Sequence, residues 1–280
     1  MPFMTSLNSP MVSRCLTYSS PYSHLHLVVE HAFHALALDE TREAFSPTLW
    51  YIIPESIHSM QYTRLTQCWF AGVHTDVGRG YDDHIPGDTA DITFAWMVDQ
   101  CRGLLAFNED MVSKMLEKGD FKEPVGARAE RKRARREEEA KTWGVADIHT
   151  RRPTDPVDFL YNLCGLKTRT PGKYVFKAQG DARLKRRFIT GLEPSKDIPK
   201  FDPVWTSEVI HPSVRMHVMY DPTYKPIALR GFRLSYDEAR GRWTWIKTWT
   251  DMNGAARKMT MKEDLTEDSY FSMHKLAQKY

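Results

Sequence analysis

The chain has 280 residues, of which 41% are hydrophobic and 12% aromatic, so it can bury a core and is not globally disordered. Its net charge of +3 is too balanced to indicate nucleic-acid binding, and we expect no nucleic-acid partner. It shows neither a signal-peptide core nor the roughly 20 consecutive apolar residues of a membrane helix. The four cysteines are widely spaced, without a C-x-x-C pair or a Cys/His cluster, which is typical of reduced cysteines. We therefore expect a cytoplasmic protein without a transmembrane segment, a metal or another cofactor.

The N-terminal part divides into an irregular start and a periodic segment. Residues 1–26 are rich in serine and proline without a regular period, and we predict that they are poorly ordered. From residue 27 to 45 apolar side chains recur at helical spacing, which predicts an amphipathic helix of about three turns. The segment TLWYII (48–53) is β-branched and aromatic, which predicts a strand.

A buried strand and a second helix follow. The segment QCWFAGV (67–73) is almost wholly apolar rather than alternating, as expected for a strand that is covered on both faces of a parallel sheet. Asp88 or Thr89 can cap a helix that runs to Leu105. The predicted buried side of this helix consists of Ile92, Ala95, Trp96 and Val98. The order of these elements is α/β in character, but two strands do not complete a sheet, so residues 27–117 are predicted to form part of a domain.

Residues 118–160 change in composition, and we interpret them as a charged linker or helix. The segment RAERKRARREEEA (128–140) has almost nothing to bury and favours a solvated helix. A nuclear-localisation or phosphate-binding patch in the basic run 128–136 is the alternative, although the glutamates that follow neutralise most of its field.

Residues 161–280 are predicted to form a mixed α+β C-terminal extension. Pro171-Gly172 indicates a turn, and residues 208–220 are predicted to be extended on either side of Pro212. Residues 227–236 and 242–250 indicate a hairpin, and the last twenty residues favour a closing helix. Along the second strand of the hairpin one face carries Trp243, Trp245, Lys247 and Trp249. We interpret this stripe as core, with a grip on a lipid or sugar as the alternative.

The loop HTDVGRGY (74–81) is the candidate functional site. A histidine at the carboxyl end of a central strand lies where α/β sheets bind ligands, and its near-neutral pKa suits proton transfer. Asp76 is close enough to orient the imidazole of His74 if the loop curls back, and glycines allow close backbone approach. The alternatives are a structural histidine bonded to a loop carbonyl and a metal site formed by His74 and Asp76. The predicted loop residues are Gly72, Gly78, Arg79 and Gly80.

Three segments around this loop carry a family resemblance: HAFHALALDETREAFSPTLW (31–50), QCWFAGVHTDVGRGY (67–81) and ADITFAWMVDQC (90–101). They resemble the second half of an α/β-hydrolase family that includes the type VI secretion phospholipase effectors and many fungal members. The region with RTPGKY, EVIHPSVR and the Trp-rich hairpin is similar to the C-terminal extension of the fungal members. The resemblance implies a partial three-layer α/β-hydrolase sandwich in a lipolytic serine hydrolase that acts on a lipid or small ester. It also implies that His74 is the general base.

The sequence departs from this family pattern in two respects. It contains no G-x-S-x-G elbow and no W-D-T-V segment, in which the family carries its nucleophile and acid. We therefore expect a truncated chain that is inactive alone, or a binding module derived from a hydrolase, and we expect self-association through an exposed sheet edge. Arg79 replaces the middle glycine of a G-G-G run, and it is predicted to strain the loop if that position needs a positive φ.

Overall fold

The computed structural model describes residues 29–51, 63–80, 88–118, 148, 165–172, 206–239, 241–251 and 253–264. The predictions for residues 1–26 and for the charged run 128–140 lie outside these residues. Two three-stranded sheets are present in the described part of the chain, one parallel and one antiparallel. The protein is thus of mixed α/β class.

The parallel sheet consists of β1 (His31–Ala37), β2 (Arg64–Phe70) and β3 (Glu208–Ile210), in the order β1-β2-β3. β2 is the central strand and lies parallel to both neighbours, with Ala37 opposite Phe70 and Trp69 opposite Ile210. The prediction of a buried strand at 67–73 is confirmed, although the strand begins three residues earlier and ends at Phe70.

The helix predicted from residue 27 to 45 is wrong, because its centre is the strand β1. In β1, Phe33 and Ala35 pack toward one face of the sheet, whereas Leu36 packs toward the other. Both faces are covered, so apolar residues occur at adjacent positions and also match a helical period. The strand predicted at 48–53 is also wrong in its described part, since only Tyr51 forms an isolated bridge.

The helices near the site agree better with the sequence. A short helix α1 spans His74–Gly78, α2 spans Thr89–Cys101, and α3 spans Glu109–Lys118. The cap predicted for α2 is confirmed, because Asp88 Oδ1 accepts the Asp91 N–H at 2.9 Å. All four residues predicted for the buried side of α2 are buried, but the helix ends at Cys101 rather than Leu105.

The C-terminal region adds a helix and a meander of antiparallel strands. The helix α4 spans Pro212–Tyr220, and Pro212 fits at its first turn because that position needs no backbone donor. The prediction that residues 208–220 are extended is therefore right before Pro212 and wrong after it. The predicted hairpin is confirmed as β4 (Phe232–Asp237) and β5 (Arg242–Thr250), which pairs with β6 (Ala256–Lys262).

The turn at Pro171-Gly172 is confirmed, and Gly172 has a φ of 69°. The predicted closing helix is wrong at its described start, where residues 261 and 262 belong to β6, and the rest of it lies outside the described residues.

The parallel sheet is covered on both faces by different layers. On one face Cys68 and Phe70 of β2 pack against Ile92 and Trp96 of α2. On the other face the core joins the parallel sheet to α4 and the antiparallel sheet; its buried residues are Leu36, Leu38, Leu49, Trp69, Ala71, Ile210, Val214, Leu229, Trp245 and Met261. The described part of the predicted C-terminal extension therefore shares a sheet and a core with β1 and β2.

The tryptophans of the predicted stripe differ in burial. Trp245 is buried in the shared core, as predicted, whereas Trp249 is 38% exposed. Trp243 is half-buried and lies beneath the Arg215 guanidinium, whose Cζ is 5.2 Å from the ring centroid. In the described part of the chain, no helix is long and apolar enough to cross a membrane.

Ile210→Ala tests whether β3 is an integral strand of the parallel sheet. Ile210 is fully buried opposite Trp69, so truncation leaves a cavity and is expected to lower the free energy of unfolding by about 2–5 kcal/mol. Urea denaturation measures the change. Ile227→Ala is the matched control, because Ile227 is 61% exposed and its truncation is expected to change stability by less than about 0.5 kcal/mol. Equal effects of the two substitutions would contradict this packing.

Candidate functional site

His74 lies at the carboxyl end of the central strand, as the sequence predicts. β2 ends at Phe70, and α1 begins at His74 after a three-residue turn. The turn depends on Gly72, whose φ is 99° and whose Cβ, if it had one, would lie 2.6 Å from Asp76 Oδ2. The chain therefore reverses tightly and presents the imidazole at the edge where the parallel strands end.

The carboxylate that contacts His74 is Glu40, which the sequence analysis did not identify. Its Oε2 lies 2.6 Å from His74 Nδ1. Glu40 follows β1 by three residues, and the carboxyl ends of parallel strands meet at one edge of a sheet, so the two side chains converge. Because residues 31–37 were predicted as a helix, Glu40 was not recognised as a residue at a strand end.

Arg42 holds Glu40 in its ionised form. The guanidinium donates through Nε to Oε1 at 2.9 Å and through Nη2 to Oε2 at 2.8 Å, which is a bidentate pair. Burial acts to raise the pKa of the Glu40 carboxyl, but the hydrogen bonds from Arg42 and His74 outweigh it and lower this pKa to about 2. The carboxylate is thus charged at neutral pH although Glu40 is only 1% exposed.

These contacts define the tautomer of His74. Nδ1 lies 2.6 Å from Glu40 Oε2 and 2.9 Å from Arg42 Nη2, but one ring nitrogen cannot donate and accept at once. The carboxylate contact is shorter, an ionised oxygen only accepts, and Arg42 Nη2 already donates to Oε2. We therefore assign the proton to Nδ1, which leaves the Nε2 lone pair available as a base.

The imidazole is fixed on its face but open at its edge. The ring stacks on Phe45 with centroids 4.7 Å apart and an interplanar angle of 12°. Arg42 lies over the same phenyl ring, with Cζ 3.9 Å from the centroid. The His74 side chain is nevertheless 44% exposed, and a hydroxyl of Thr75 lies 3.4 Å from Nε2. A reactant can therefore approach Nε2 while Nδ1 stays bound to Glu40.

Arg169 supports the segment that carries Arg42 and Phe45. Its Nη2 donates to the carbonyl oxygens of Arg42 at 2.9 Å and of Phe45 at 2.8 Å. Its Nη1 donates to Ser46 Oγ at 3.0 Å and to the Lys167 carbonyl at 3.2 Å. Arg169 is buried, so the C-terminal region contributes a charged side chain to the surroundings of the site.

A cavity of about 630 Å³ opens beside His74. This volume lies within the range of small-molecule sites. The cavity is bounded by the edge of β1, by α1 and by α2, and its wall is mostly apolar. Its lining residues are His34, Ala35, Leu36, Ala37, Glu40, Phe45, Pro47, His74, Val77, Gly78, Arg79, Ala90, Thr93, Phe94, Met97, Met115 and Arg169.

The other predicted site residues are close to His74 but have different surroundings. Asp76 Oδ2 accepts the Val73 N–H at 2.8 Å and thereby caps α1, and it is Glu40 that contacts the imidazole. Gly78 lines the cavity, and a Cβ there would meet nothing within 4 Å. The Gly80 N–H donates to the Thr75 carbonyl at 2.9 Å. The catalytic role of Asp76 stays a prediction.

Arg79 has the positive φ that was the condition for strain at this position. It has φ 55° and ψ 73°, in the left-handed region that favours glycine, and it ends α1. Its guanidinium forms an ion pair with Asp91, a buried residue of α2. The loop is therefore compatible with arginine, and the ion pair offsets part of the strain.

A metal site formed by His74 and Asp76 stays an alternative. Among the described residues, no group of three or more His, Cys, Asp or Glu side chains could hold a metal ion.

Comparison with known proteins gives a match to one family model. The model of the T6SS phospholipase effector Tle1-like catalytic domain matches residues 4–100. This segment, less than half of the chain, includes β1, β2, α1 and both Glu40 and His74. No curated protein and no solved structure matches the chain.

Glu40→Gln tests the buried ion pair. The substitution leaves the Arg42 guanidinium buried without its anion and is expected to lower the free energy of unfolding by about 3–5 kcal/mol. Glu109→Gln is the matched control, because it removes a half-exposed partner of Arg102 and is expected to cost less than about 1 kcal/mol. Chemical denaturation at pH 7 compares both variants with the native chain. A loss of similar size in both would contradict the role of Glu40.

The pH dependence of stability provides a second test of Glu40. The pKa of its carboxyl falls on folding from 4.5 to about 2, so its contribution to stability is fully present above pH 4.5. The contribution is lost as pH falls through about 2. The difference in melting temperature between the native chain and Glu40→Gln is therefore expected to shrink as the pH falls from 4.5 toward about 2. A difference that grows over this acid range would contradict this assignment.

Arg79→Gly and Arg79→Ala separate the backbone strain from the ion pair. Both remove the contact with Asp91, but only glycine relieves the left-handed φ, so the glycine variant is expected to be more stable than the alanine variant by about 1 kcal/mol. The same pair of substitutions at Arg102, where φ is −57°, is expected to give the opposite order. Thermal unfolding measures all four, and an alanine variant more stable than glycine at Arg79 would contradict the strain.

Proposed function

We propose that the chain carries the acid–base half of a lipolytic carboxylic ester hydrolase. In this proposal His74 is the general base, Glu40 is the carboxylate that orients it, and the substrate is a lipid or small ester. The observation that carries the proposal is the contact of 2.6 Å between His74 Nδ1 and an ionised, buried Glu40, beside an apolar cavity. The match of residues 4–100 to a phospholipase catalytic-domain family supports the same assignment.

The proposed chemistry follows from the tautomer. Nε2 removes the proton of a hydroxyl group as its oxygen attacks the ester carbonyl carbon, and the resulting imidazolium is stabilised by Glu40 through Nδ1–H. The imidazolium then returns the proton to the oxygen of the leaving alcohol, so the histidine is neutral again. The apolar side chains of the cavity suit the acyl part of an ester.

The nucleophile is not assigned to a residue of this sequence, which contains no G-x-S-x-G elbow. In the proposed mechanism the parallel sheet is part of an α/β-hydrolase sheet, and the nucleophilic hydroxyl faces Nε2 across the cavity. The apolar cavity beside His74 also favours a second candidate function, a module that binds lipids or esters without hydrolysing them. In both functions the cavity holds the substrate, and only hydrolysis depends on His74.

A graft distinguishes the two candidates. Residues 29–118 replace the corresponding segment of an active Tle1-like phospholipase that supplies the G-x-S-x-G elbow. The graft is expected to hydrolyse a short-chain phospholipid, and His74→Ala within it is expected to lower the rate about 10²- to 10⁴-fold because the general base is lost. His31→Ala is the matched control, since His31 is exposed at the start of β1 and outside the cavity.

Only grafts that unfold cooperatively, and are therefore folded, distinguish the two candidate functions. A folded graft whose rate does not change on His74→Ala contradicts the role of His74 as base. A folded graft that binds the phospholipid but hydrolyses none supports the non-catalytic module.

A further inference from the structure

Two aspartates hold the turn between β2 and His74. Asp39 Oδ2 accepts the Gly72 N–H at 2.7 Å, and the Asp39 N–H donates to the Gly72 carbonyl at 3.0 Å. Asp76 Oδ2 accepts the N–H of the next residue, Val73, at 2.8 Å. Two consecutive amides of the turn are thus bound by carboxyl groups, and these hydrogen bonds set the direction in which the chain enters α1.

The carboxyl group of Asp39 depends on its hydrogen-bond donors. Burial raises the pKa of this carboxyl, and the nearby charge of Asp76 acts in the same direction, whereas the hydrogen bonds from Gly72 and Tyr224 lower it. The two donors therefore favour the ionised carboxylate, which is a stronger acceptor for the Gly72 N–H than the protonated acid. In the described part of the chain, Tyr224 is the one side chain that donates a hydrogen bond to Asp39.

Tyr224 brings this donor from the C-terminal region. Its hydroxyl donates to Asp39 Oδ2 at 2.7 Å, the same oxygen that accepts the Gly72 N–H. The ring packs against the core shared by the two sheets and contacts the ring of His217 on α4, with centroids 5.3 Å apart. The Tyr224 N–H donates to the carbonyl of Asp221, the residue that follows α4, at 3.1 Å. The position of the hydroxyl is therefore fixed by its own surroundings and not only by the turn that it supports.

We propose that Tyr224 is a positioning residue for His74. Its hydroxyl holds Asp39, Asp39 holds the turn at Gly72, and the turn sets the position from which the imidazole reaches Glu40. The inference rests on the proposed function in one respect, namely that His74 is the general base. Tyr224 lies outside the segment that matches the family model, so the proposal adds a residue of the C-terminal region to the site.

Magnetic resonance of the full 280-residue chain with isotope-labelled histidine observes His74 directly. The Nδ1–H proton that is bound to Glu40 at 2.6 Å is expected to give a downfield resonance, which is assigned by its absence in His74→Ala. In Tyr224→Phe this resonance is expected to move upfield, and its proton is expected to exchange with water up to about tenfold faster, because a hydrogen bond that holds the turn is lost. The measurement needs no hydrolysis, so its failure and the failure of the graft are distinguishable.

Two control variants separate positioning from other effects. Tyr236→Phe removes a hydroxyl from a tyrosine of β4 that is 49% exposed, and the His74 resonance is expected to stay unchanged. Val112→Ala truncates a buried side chain in a core that does not include the turn, so it lowers stability but is expected to leave the resonance at its native position. The proposal is overturned if a folded Tyr224→Phe variant retains the native resonance and exchange rate, or if Val112→Ala changes them equally.

A ring-fluorinated tyrosine at position 224 covers the case in which Tyr224→Phe does not fold. Fluorine adds little volume and makes the phenol more acidic, so the hydroxyl donates a stronger hydrogen bond to Asp39. The His74 resonance is then expected to move downfield and its proton to exchange more slowly, which is the opposite of the effect of Tyr224→Phe. An unchanged resonance or a faster exchange in the fluorinated chain overturns the proposal.

Discussion

The structure around the candidate site depends on one buried carboxylate. Glu40 is almost fully buried, and its charge is stable there only because Arg42 binds both of its oxygens and His74 donates to one of them. The same contacts fix the segment after β1, the stacking of Phe45 and the tautomer of the imidazole. The cluster forms because two neighbouring parallel strands end at the same edge, so the geometry of the sheet brings together residues 34 positions apart.

Prediction from the sequence is most accurate where a residue pattern is compatible with only one type of secondary structure. β2 is a short apolar run bounded by a turn, α2 begins with an aspartate cap, and the hairpin alternates around a turn, so each was identified. The helix prediction for the segment HAFHALA (31–37) was wrong. A strand that is covered on both faces is apolar at consecutive positions and thereby also matches a helical period. That error had a chemical consequence, because the carboxylate that contacts His74 follows this strand and was not identified.

The backbone at Arg79 shows how a local rule can predict a feature that pattern analysis cannot. The departure from a glycine run predicted strain only if the position needs a positive φ, and the structure has one. The sequence could not indicate the compensation, because Asp91 lies on a helix whose orientation toward the loop depends on packing against β2. Arg169 was missed for a similar reason. Its role depends on contacts with residues more than 120 positions earlier, and no local signal reports such a distance.

Arg42 affects how strongly the site can act on a proton. A carboxylate that faces only an imidazole stabilises the imidazolium fully, whereas Glu40 is already neutralised by a bidentate guanidinium. The site therefore gains a rigid orienting group that is ionised at neutral pH.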